Sequence, residues 1–368
     1  MKVLIVGGNF ANEQSLVKPS GVITKISNCF HEMRAFPRCI QTTTVNGGLM
    51  AELPKEISED VAIWIPNIAN EEEKQYPKKA TGTILICSKV MRDGYTKMDA
   101  ISRIFKMHGN AVIAITSELV EEKPHYHFEL IDALGNVWCN TTEIPLLVAG
   151  IMSFVAFTKS AKRIRTTHKE DGFMLHRVSE YFLSNKDNID KLLETNRKLQ
   201  KHIMTSCGNR FFGNVSTRCQ SLFPSARLYG TYMEGMFVSP RNSNKESIAS
   251  EDMVLYTKGD MYCGGAGKPS VDSPAQFRIY ERMPNINFMI HGHALIDVPG
   301  ALTTKEYKLC GDVNEVDEIT SIVDLEVNSF YINLMGHGFL LGANNAGQLD
   351  RMVDNIINNG RVVITNQE

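Results

Sequence analysis

The stretch from Asn287 to His293 reads Asn-Phe-Met-Ile-His-Gly-His and decides the fold of the C-terminal half of the chain. Asn287 to Ile290 predicts a short apolar strand, which runs into two histidines separated by a glycine. Residues two apart in a strand project from the same face, so both imidazoles can reach one metal ion. The glycine leaves room for backbone or ligand to approach closely. The stretch therefore predicts a metal site at the end of a strand.

A third histidine has a similar setting further along the chain. Phe330 to Met335 predicts another apolar strand, which ends in Gly336-His337-Gly338. The flanking glycines indicate that backbone comes close to another group there. A third ligand completes a catalytic-type site that keeps one position open, and imidazole favours zinc and similar ions. We expect His291, His293 and His337 to bind one divalent metal ion, most simply Zn²⁺.

A second His-x-His pair, His125-Tyr126-His127, shows that this motif alone decides nothing. The pair lies beside Pro124 in a charged stretch, and no partner motif follows it. We predict a surface pair in a loop rather than a metal site.

A carboxylate precedes the metal stretch, in Lys268-Pro269-Ser270-Val271-Asp272-Ser273-Pro274. The pattern predicts a helix that begins near Pro274. Asp272 therefore has two interpretations from the sequence. It is either a fourth ligand or general base at the metal site, or the N-cap of that helix.

A series of ordered motifs across residues 185–345 resembles the class II aldolase, adducin and L-ribulose-5-phosphate 4-epimerase superfamily. The resemblance implies an α/β/α domain around a mostly antiparallel sheet, assembled as a homo-oligomer, a tetramer or dimer, with active sites shared between subunits. The motifs are a leading helix, Gly213-Asn214-Val215-Ser216-Thr217-Arg218, Val238-Ser239-Pro240 with Ser250-Glu251-Asp252-Met253-Val254, Lys268-Pro269-Ser270-Val271-Asp272, Ile290-His291-Gly292-His293, and Gly336-His337-Gly338 with Gly342.

Carried over position by position, the resemblance implies a role for each motif. The three histidines would be the metal ligands, and Asp272 would be the catalytic carboxylate, with Glu306 as a second acid/base group. The substrate phosphate or its equivalent would be held by Asn214, Ser216, Ser239, Lys268 and Ser270. Arg241, which the family does not have, either binds a phosphate or carboxylate with two hydrogen bonds or is a solvated loop arginine.

The chain departs from the family pattern at positions that would determine substrate specificity. Arg241 follows Ser239-Pro240 where members usually have a Ser-Gly pair, and Gln276 stands where a histidine is usual. The C-terminal tyrosine of the family has no counterpart after the last predicted strand, Arg361 to Ile364. The substrate therefore stays open.

The N-terminal half reads as strands alternating with helical segments. Apolar runs at residues 2–6, 61–65, 82–86 and 111–115 predict buried strands, with a helix over Thr96–His108 and a hairpin over His127–Val137. This order predicts a Rossmann-like α/β domain with a mostly parallel sheet. Gly7-Gly8-Asn9 after the first run is either a phosphate-binding turn or a plain strand-ending turn.

These patterns divide the chain into three parts. We predict a Rossmann-like domain of unknown role at 1–160, a polar, basic linker at 161–175, and an aldolase-like metal-binding domain at 176–368. The fold class is thus α/β, with a parallel sheet in the first domain and a mostly antiparallel sheet in the second.

Bulk composition excludes several classes of protein. The net charge is −2, so no overall field attracts the molecule to nucleic acid or an anionic membrane. The apolar segment from Ile144 to Phe157 is shorter than the ~20 residues needed to span a bilayer. The 8 cysteines contain no C-x-x-C pair, which favours reduced thiols. We expect a cytoplasmic protein without nucleic-acid or membrane partners.

Together the patterns favour a metal-dependent lyase of the aldol or retro-aldol type, acting on a sugar phosphate or related hydroxy-carbonyl compound. Three alternatives stay open from the sequence. One is a sugar-phosphate 4-epimerase using the same retro-aldol step, and the second is a decarboxylase or dehydratase using the same ion. The third is an adducin-like interaction module without catalytic activity.

Overall fold

The computed structural model describes residues 1–7, 21–32, 40–46, 54–65, 78–121, 123–169, 186–203, 205–207, 210–219, 227–228, 231–232 and 234–363. The chain divides into two compact units, Met1–Ser160 and Ala161–Asn366. Each unit has its own hydrophobic core.

The first unit alternates strands and helices along the chain. In order, its elements are β1 (Lys2–Gly7), α1 (Gly21–Glu32), β2 (Gln41–Asn46), β3 (Glu56–Ile57), β4 (Val61–Ile65), β5 (Lys78–Lys79), β6 (Ile84–Val90), α2 (Lys97–Met107), β7 (Ala111–Val120), β8 (Lys123–Asp132), β9 (Val137–Thr141) and α3 (Ile144–Ser160).

A seven-stranded sheet forms the centre of this unit, in the order β2-β1-β4-β6-β7-β8-β9. The pairs from β2 to β7 are parallel, and β8 and β9 are added antiparallel. Strands β1 and β4 are apolar along nearly their whole length because helices cover such sheets on both faces. The predicted parallel-sheet α/β class is confirmed, and β8 and β9 form the predicted hairpin.

One local expectation is corrected in this unit. His125 and His127 do not lie in a loop, because β8 pairs along its length with β7 and carries both residues. Helix α2 lies within the predicted range, and His108 caps its C-terminal end in the left-handed conformation at φ 51°.

The glycine at the end of β1 has a packing explanation. A Cβ at Gly7 would lie 2.4 Å from side-chain carbons of Ile23 on α1, so the close approach of helix and strand requires a glycine. Gly8 and Asn9, the rest of the predicted turn, lie outside the described residues.

Helix α3, the apolar segment of the first half, packs into the core of the first unit through residues such as Leu147 and Phe154. Among the helices of the described ranges, none has the length and apolar character to cross a membrane. Cysteines within these ranges are free thiols.

The second unit contains the stretch from Asn287 to His293. Its elements are β10 (Thr167–His168), α4 (Lys186–Gln200), β11 (Ser206–Cys207), β12 (Arg210–Phe211), β13 (Asn214–Arg218), β14 (Arg227–Leu228), β15 (Thr231–Tyr232), β16 (Gly235–Val238), a 3₁₀ turn (Ser250–Asp252), β17 (Val254–Thr257), β18 (Met261–Cys263), α5 (Ser273–Arg282), β19 (Phe288–Gly292), β20 (Leu295–Asp297), β21 (Leu302–Thr303), α6 (Glu315–Ile322), β22 (Ser329–Leu334), β23 (Gly338–Ala343), α7 (Ala346–Asn359) and β24 (Arg361–Val363).

A nine-stranded sheet runs through this unit in the order β10-β18-β17-β16-β13-β19-β23-β22-β21. Only its two edge pairs, β10 with β18 and β21 with β22, are parallel within the described chain. The predicted, mostly antiparallel sheet is therefore confirmed.

Helices cover both faces of this sheet. Adjacent residues of a strand point to opposite faces, so Ile290 packs with Leu192 of α4 and Leu349 of α7, whereas Met289 packs on the other side with Phe277 of α5. The result is the expected α/β/α layering.

The segment predicted as a linker over 161–175 is partly built into the second unit. Strand β10 extends the sheet edge, and the Lys162 N–H donates to Asp312 at 3.1 Å. An open sheet edge offers unpaired backbone groups, which a polar segment can satisfy as well as an apolar one. Residues 170–175 lie outside the described ranges.

Candidate metal centre

Three histidines converge at one end of the central strands of the nine-stranded sheet. His291 lies near the end of β19, His293 follows that strand, and His337 lies in the turn between β22 and β23. Their ring centroids are 5.1, 4.8 and 5.4 Å apart. One ligand nitrogen from each lies within 4.8 Å of the others, and two of the three side chains are buried. This spacing fits a single metal ion.

Glycine allows the two chain segments to meet. Gly338 has φ +152°, and a Cβ there would lie 2.1 Å from the carbonyl oxygen of Gly292. No other residue permits this approach, because the atoms would overlap. The backbone contact brings His337 beside His291 and His293.

Hydrogen bonds orient two of the imidazoles. Nδ1 of His291 lies 2.7 Å from the carbonyl oxygen of Phe339, and Nδ1 of His337 lies 2.7 Å from Oε1 of Glu315. Carbonyl and carboxylate oxygens accept hydrogen bonds, so each Nδ1 carries a proton and donates it. Each Nε2 is then left for a ligand, the arrangement typical of metal-binding histidines.

An unsatisfied nitrogen supports a metal at this place. Nε2 of His291 is buried and, among the described residues, has no hydrogen-bond partner. A buried polar atom without a partner costs free energy, and nearly all such atoms in proteins are paired. A cation bound by this nitrogen would satisfy it, so the residues present fit a divalent metal ion.

The protonation of the three imidazoles differs. Burial, reinforced by the nearby His337, lowers the pKa of His291 to about 4, so its ring is neutral at pH 7. Burial, followed by the two other histidines, also lowers the pKa of His293 well below its ordinary value. Burial acts on His337 in the same direction, but Cys310 and Glu315 raise its pKa well above the ordinary value. A proton on His337 would therefore compete with a metal ion.

Asp272 lies beside the histidines. It occupies the residue before α5, yet its side chain makes no capping hydrogen bond. Instead Oδ1 accepts from the N–H of Gly311 at 2.8 Å, and Oδ2 accepts from Asn214 and Ser270 at 3.2 Å each. Oδ2 is also 4.0 Å from Nε2 of His291. The carboxylate therefore lies beside the histidines and does not cap α5, and its role as a ligand or general base stays a prediction.

Asn214 and Gln276 hold this carboxylate in place. The amide nitrogen of Asn214 donates to Asp272 and to Ser270, and its oxygen accepts from Gln276 at 2.6 Å. Gln276, which stands where the family has a histidine, thus orients Asn214. Both amide hydrogens of Asn214 have protein acceptors, so the structure places Asn214 as a support of Asp272 rather than as a phosphate ligand.

Two serines expected to bind phosphate lie inside strands or against them. Ser216 on β13 is fully buried and its hydroxyl is 3.1 Å from the hydroxyl of Tyr280. Ser239 is equally buried and accepts from the N–H of Val215 at 3.2 Å. Both hydroxyls are used within the fold, because the predicted loop is a strand at Ser216. The structure assigns neither serine to a substrate-binding loop.

The two predicted cations lie together at the surface near Asp272. The N–H of Arg241 donates to the carbonyl of Lys268 at 2.8 Å, and Nε of Arg241 donates to the carbonyl of Pro269 at 3.3 Å. Both side chains are exposed. Ser270, by contrast, is buried and donates to Asp272.

Glu306 is not brought to the histidines. Its carboxylate is exposed and forms an ion pair with Lys308 at 2.6 Å. Glu315, which sequence reasoning missed, contacts His337 instead. An acidic residue in the first turn of a helix ordinarily serves the helix dipole, so no local signal indicated this contact.

A buried lysine also went unnoticed in the sequence. Lys245 is 2% exposed, and its amine donates to the carbonyl of Ser243 at 2.7 Å. Burial lowers the pKa of Lys245 to about 8, although the charge of Asp272 opposes this effect. The lysine charge in turn lowers the pKa of His291 and of His293, so it lies within electrostatic reach of the site.

The comparisons with known proteins match part of the second unit. Residues 190–314 match the family described as Class II Aldolase and Adducin N-terminal domain. The match falls within the part of the chain whose ordered motifs resemble this family. None of the curated proteins compared with the chain matches it.

Several solved structures of aldolase-type proteins are similar to part of this chain. An L-fuculose 1-phosphate aldolase is 17% identical, and the similarity covers 46% of this chain and 82% of that one, with a TM-score of 0.34. YgbL from Klebsiella pneumoniae, a candidate aldolase, epimerase or decarboxylase, is 12% identical over 47% of this chain and 88% of its own, with a TM-score of 0.34. An aldolase II superfamily protein from Pseudomonas syringae is 13% identical over 47% and 75%, also with a TM-score of 0.34. Similarities at this level carry no argument about activity.

Proposed function

We propose that the second unit is a metal-dependent lyase of the aldol or retro-aldol type, acting on a sugar phosphate or a related hydroxy-carbonyl compound. One observation carries the proposal. Three histidines offer ligand nitrogens within 4.8 Å of one another, and a buried carboxylate lies 4.0 Å from one of them. The family match to residues 190–314 supports the same class of chemistry.

His291, His293 and His337 would hold the ion, for which we propose Zn²⁺ because imidazole ligands favour it. When bound, such an ion supplies Lewis-acid polarisation of carbonyl and hydroxyl oxygens. Hydrogen bonds to Phe339 and Glu315 already orient two of the imidazoles. Binding of the ion therefore costs little conformational entropy at these two side chains.

Asp272 is the proposed proton carrier. In the cleavage direction it takes the proton of the substrate hydroxyl while the neighbouring carbon–carbon bond breaks, and a proton then returns to the carbon that is left. Three donors, on Gly311, Asn214 and Ser270, fix its position. Such positioning matters because proton transfer requires hydrogen-bond reach of the reacting atom.

Positive charge near Asp272 favours an anionic substrate. Arg241 and Lys268 are exposed cations on the segments next to Asp272, and an arginine can bind a phosphate or carboxylate with two parallel hydrogen bonds. We propose that these two residues bind the anionic end of the substrate. Glu306 has no part in this proposal, because it is paired with Lys308 at the surface.

The second candidate is a sugar-phosphate 4-epimerase that uses the same bond cleavage and then rejoins the fragments. It is favoured by Asp272, because epimerases of the resembling family carry aspartate where its aldolases carry glutamate. Product analysis separates the two, since an epimerase releases no aldehyde fragment. Trapping of free aldehyde during turnover supports the lyase, whereas a new epimer without aldehyde supports the epimerase.

The metal site is tested first by elemental analysis of the purified protein. We expect about one divalent ion per chain in the wild type and its loss in His291→Ala, together with a lower melting temperature. His125→Ala is the matched control, since it changes a histidine of the other His-x-His pair. The proposal fails if the wild type binds no metal and His291→Ala is as stable as the wild type.

Three further expectations belong to this proposal. We propose that the protein is cytoplasmic. We also propose that it is a homo-oligomer, a tetramer or dimer, because members of the resembling family share active sites between subunits. Light scattering of the purified chain tests the assembly. We also propose that Met1–Ser160 and the metal-binding unit are separate domains, in line with the division of the chain into two compact units.

A further inference from the structure

We propose that Cys310 is a fourth protein ligand of the metal centre, so that the chain offers three imidazoles and one thiolate to a thiophilic ion such as Zn²⁺ or Co²⁺. The inference rests on the metal site proposed above and adds to it a ligand that the family motifs do not contain. A soft thiolate shifts the preference of a site from Mg²⁺ and Mn²⁺ towards Zn²⁺.

The position of the sulfur carries the inference. Sγ of Cys310 lies 3.3 Å from Nε2 of His337, the nitrogen that the bond to Glu315 leaves available. Two ligand atoms held about 2.3 and 2.0 Å from a tetrahedral zinc ion are separated by about 3.5 Å. Sulfur and nitrogen are thus already at the spacing of two ligands on one ion. Asp272, Cys310 and His337 form a second group of ligand atoms within 4.8 Å of one another, and this group shares His337 with the three-histidine group.

The backbone around Cys310 is held in place. The N–H of Gly311 donates to Asp272 at 2.8 Å, and Nε of Arg163 donates to the carbonyl oxygen of Cys310 at 3.1 Å. Gly311 has φ +77°, and a Cβ there would lie 2.8 Å from the carbonyl oxygen of Val271. The sulfur is therefore presented by a loop that is tied to the metal-site carboxylate.

A simpler interpretation is that the thiol only donates a hydrogen bond to His337. That pairing leaves Nε2 of His291 buried without a partner among the described residues. An ion on the histidines satisfies this nitrogen and occupies Nε2 of His337, which removes the acceptor of the thiol. The sulfur then lies 3.3 Å from a nitrogen that binds the ion, which favours a ligand role over a plain hydrogen bond.

Spectroscopy of the cobalt-loaded protein tests the inference directly. Co²⁺ bound by a thiolate shows a sulfur-to-metal charge-transfer band in the near ultraviolet, whereas Co²⁺ bound by imidazole alone shows only the weaker visible bands. We expect the charge-transfer band in the wild type and its loss in Cys310→Ser, with the visible bands retained. Affinity for Co²⁺ should fall at least about tenfold, since even outer partners of metal ligands contribute 10–100-fold. Cys139→Ser, a half-buried cysteine of the first unit, is the matched control.

The possible outcomes separate the two proposals. Bound Co²⁺ without a charge-transfer band in the wild type, and with equal affinity in Cys310→Ser, overturns the ligand role while the three-histidine site stands. A wild type that binds neither Co²⁺ nor Zn²⁺ overturns the metal site and the inference together.

A second measurement needs no variant. Cys310 of the wild type is alkylated with iodoacetamide, and the labelled peptide is quantified by mass spectrometry with added Zn²⁺ or Mg²⁺. We expect Zn²⁺ to slow labelling of Cys310 and Mg²⁺ to leave it unchanged, because a zinc-bound thiolate is a poor nucleophile. Equal labelling with and without Zn²⁺ in a protein that binds the ion overturns the ligand role.

Discussion

Replacing Lys245 by methionine should stabilise the protein. The lysine is 2% exposed, and burial lowers its pKa from the ordinary value of 10.5 to about 8. At about 1.4 kcal/mol per pH unit, keeping the amine charged in the fold costs about 3 kcal/mol. Methionine has a similar shape and no charge, so Lys245→Met should raise the free energy of unfolding by up to this amount at pH 7. Loss of the hydrogen bond to Ser243 reduces the gain.

The lowered pKa of Lys245 also predicts how the free energy of unfolding depends on pH. Because the pKa in the fold is below that of the unfolded chain, the folded protein binds fewer protons between pH 8 and 10.5. Stability therefore rises with pH through this range, and the penalty is complete below pH 8. The rise should be present in the wild type and absent in Lys245→Met.

Urea unfolding of the metal-free protein at pH 7 and near pH 10, followed by circular dichroism, measures both effects. The 2 tryptophans, Trp64 and Trp138, belong to the first unit, so their fluorescence reports that unit in parallel. Lys258→Met is the control, because Lys258 is an exposed lysine of the second unit. A Lys245→Met protein that is no more stable than the wild type at pH 7 refutes the reasoning. If the variant is more stable but inactive, the buried charge is retained for function.

Three further predictions follow from contacts in the second unit. Glu315→Gln keeps an acceptor for Nδ1 of His337 but removes the charge, so Zn²⁺ affinity in a competition titration should fall about 10–100-fold; unchanged affinity would contradict the role of Glu315. Asp260→Asn tolerates the left-handed backbone at φ 60° but breaks the ion pair with Arg278, and should cost about 1 kcal/mol in urea unfolding. Burial raises the pKa of Asp260, but hydrogen bonds from Arg278 and a tyrosine outweigh this effect and lower the pKa. Its contribution is therefore present above about pH 4 and lost as the pH falls below that value, where wild type and variant should converge. Gly338→Ala places a Cβ 2.1 Å from a carbonyl oxygen of β19, and should lower both the melting temperature and the metal content. A variant with wild-type values of both would show that the protein does not need the close contact between these two segments.

The sequence by itself determined the features that are local in the chain. A run of apolar residues followed by His-Gly-His or Gly-His-Gly indicates a strand end with imidazoles on it, because strand periodicity and glycine conformation act over a few residues. The alternation of strands and helices in the first half likewise indicated a parallel sheet. The order of the motifs indicated the family that residues 190–314 match.

The tertiary structure decided which side chains meet. Asn214 and Asp272 are 58 positions apart, and His337 is 22 positions from Glu315 and 27 from Cys310, so no local pattern relates them. Antiparallel pairing brings β13, β19 and β23 side by side, and the segments that carry Asp272, Cys310 and Glu315 contact Asn214 and His337 at this end of the sheet.

The tertiary structure also decided which polar side chains are buried. Ser216 and Glu306 look equally polar in the sequence, yet the first is enclosed against Tyr280 and the second lies at the surface. The charge of Lys245 is enclosed although lysines are mostly exposed. The three histidines could therefore be predicted from the chain alone. The carboxylates, the thiol and the lysine that accompany them depended on which distant segments the fold packs together.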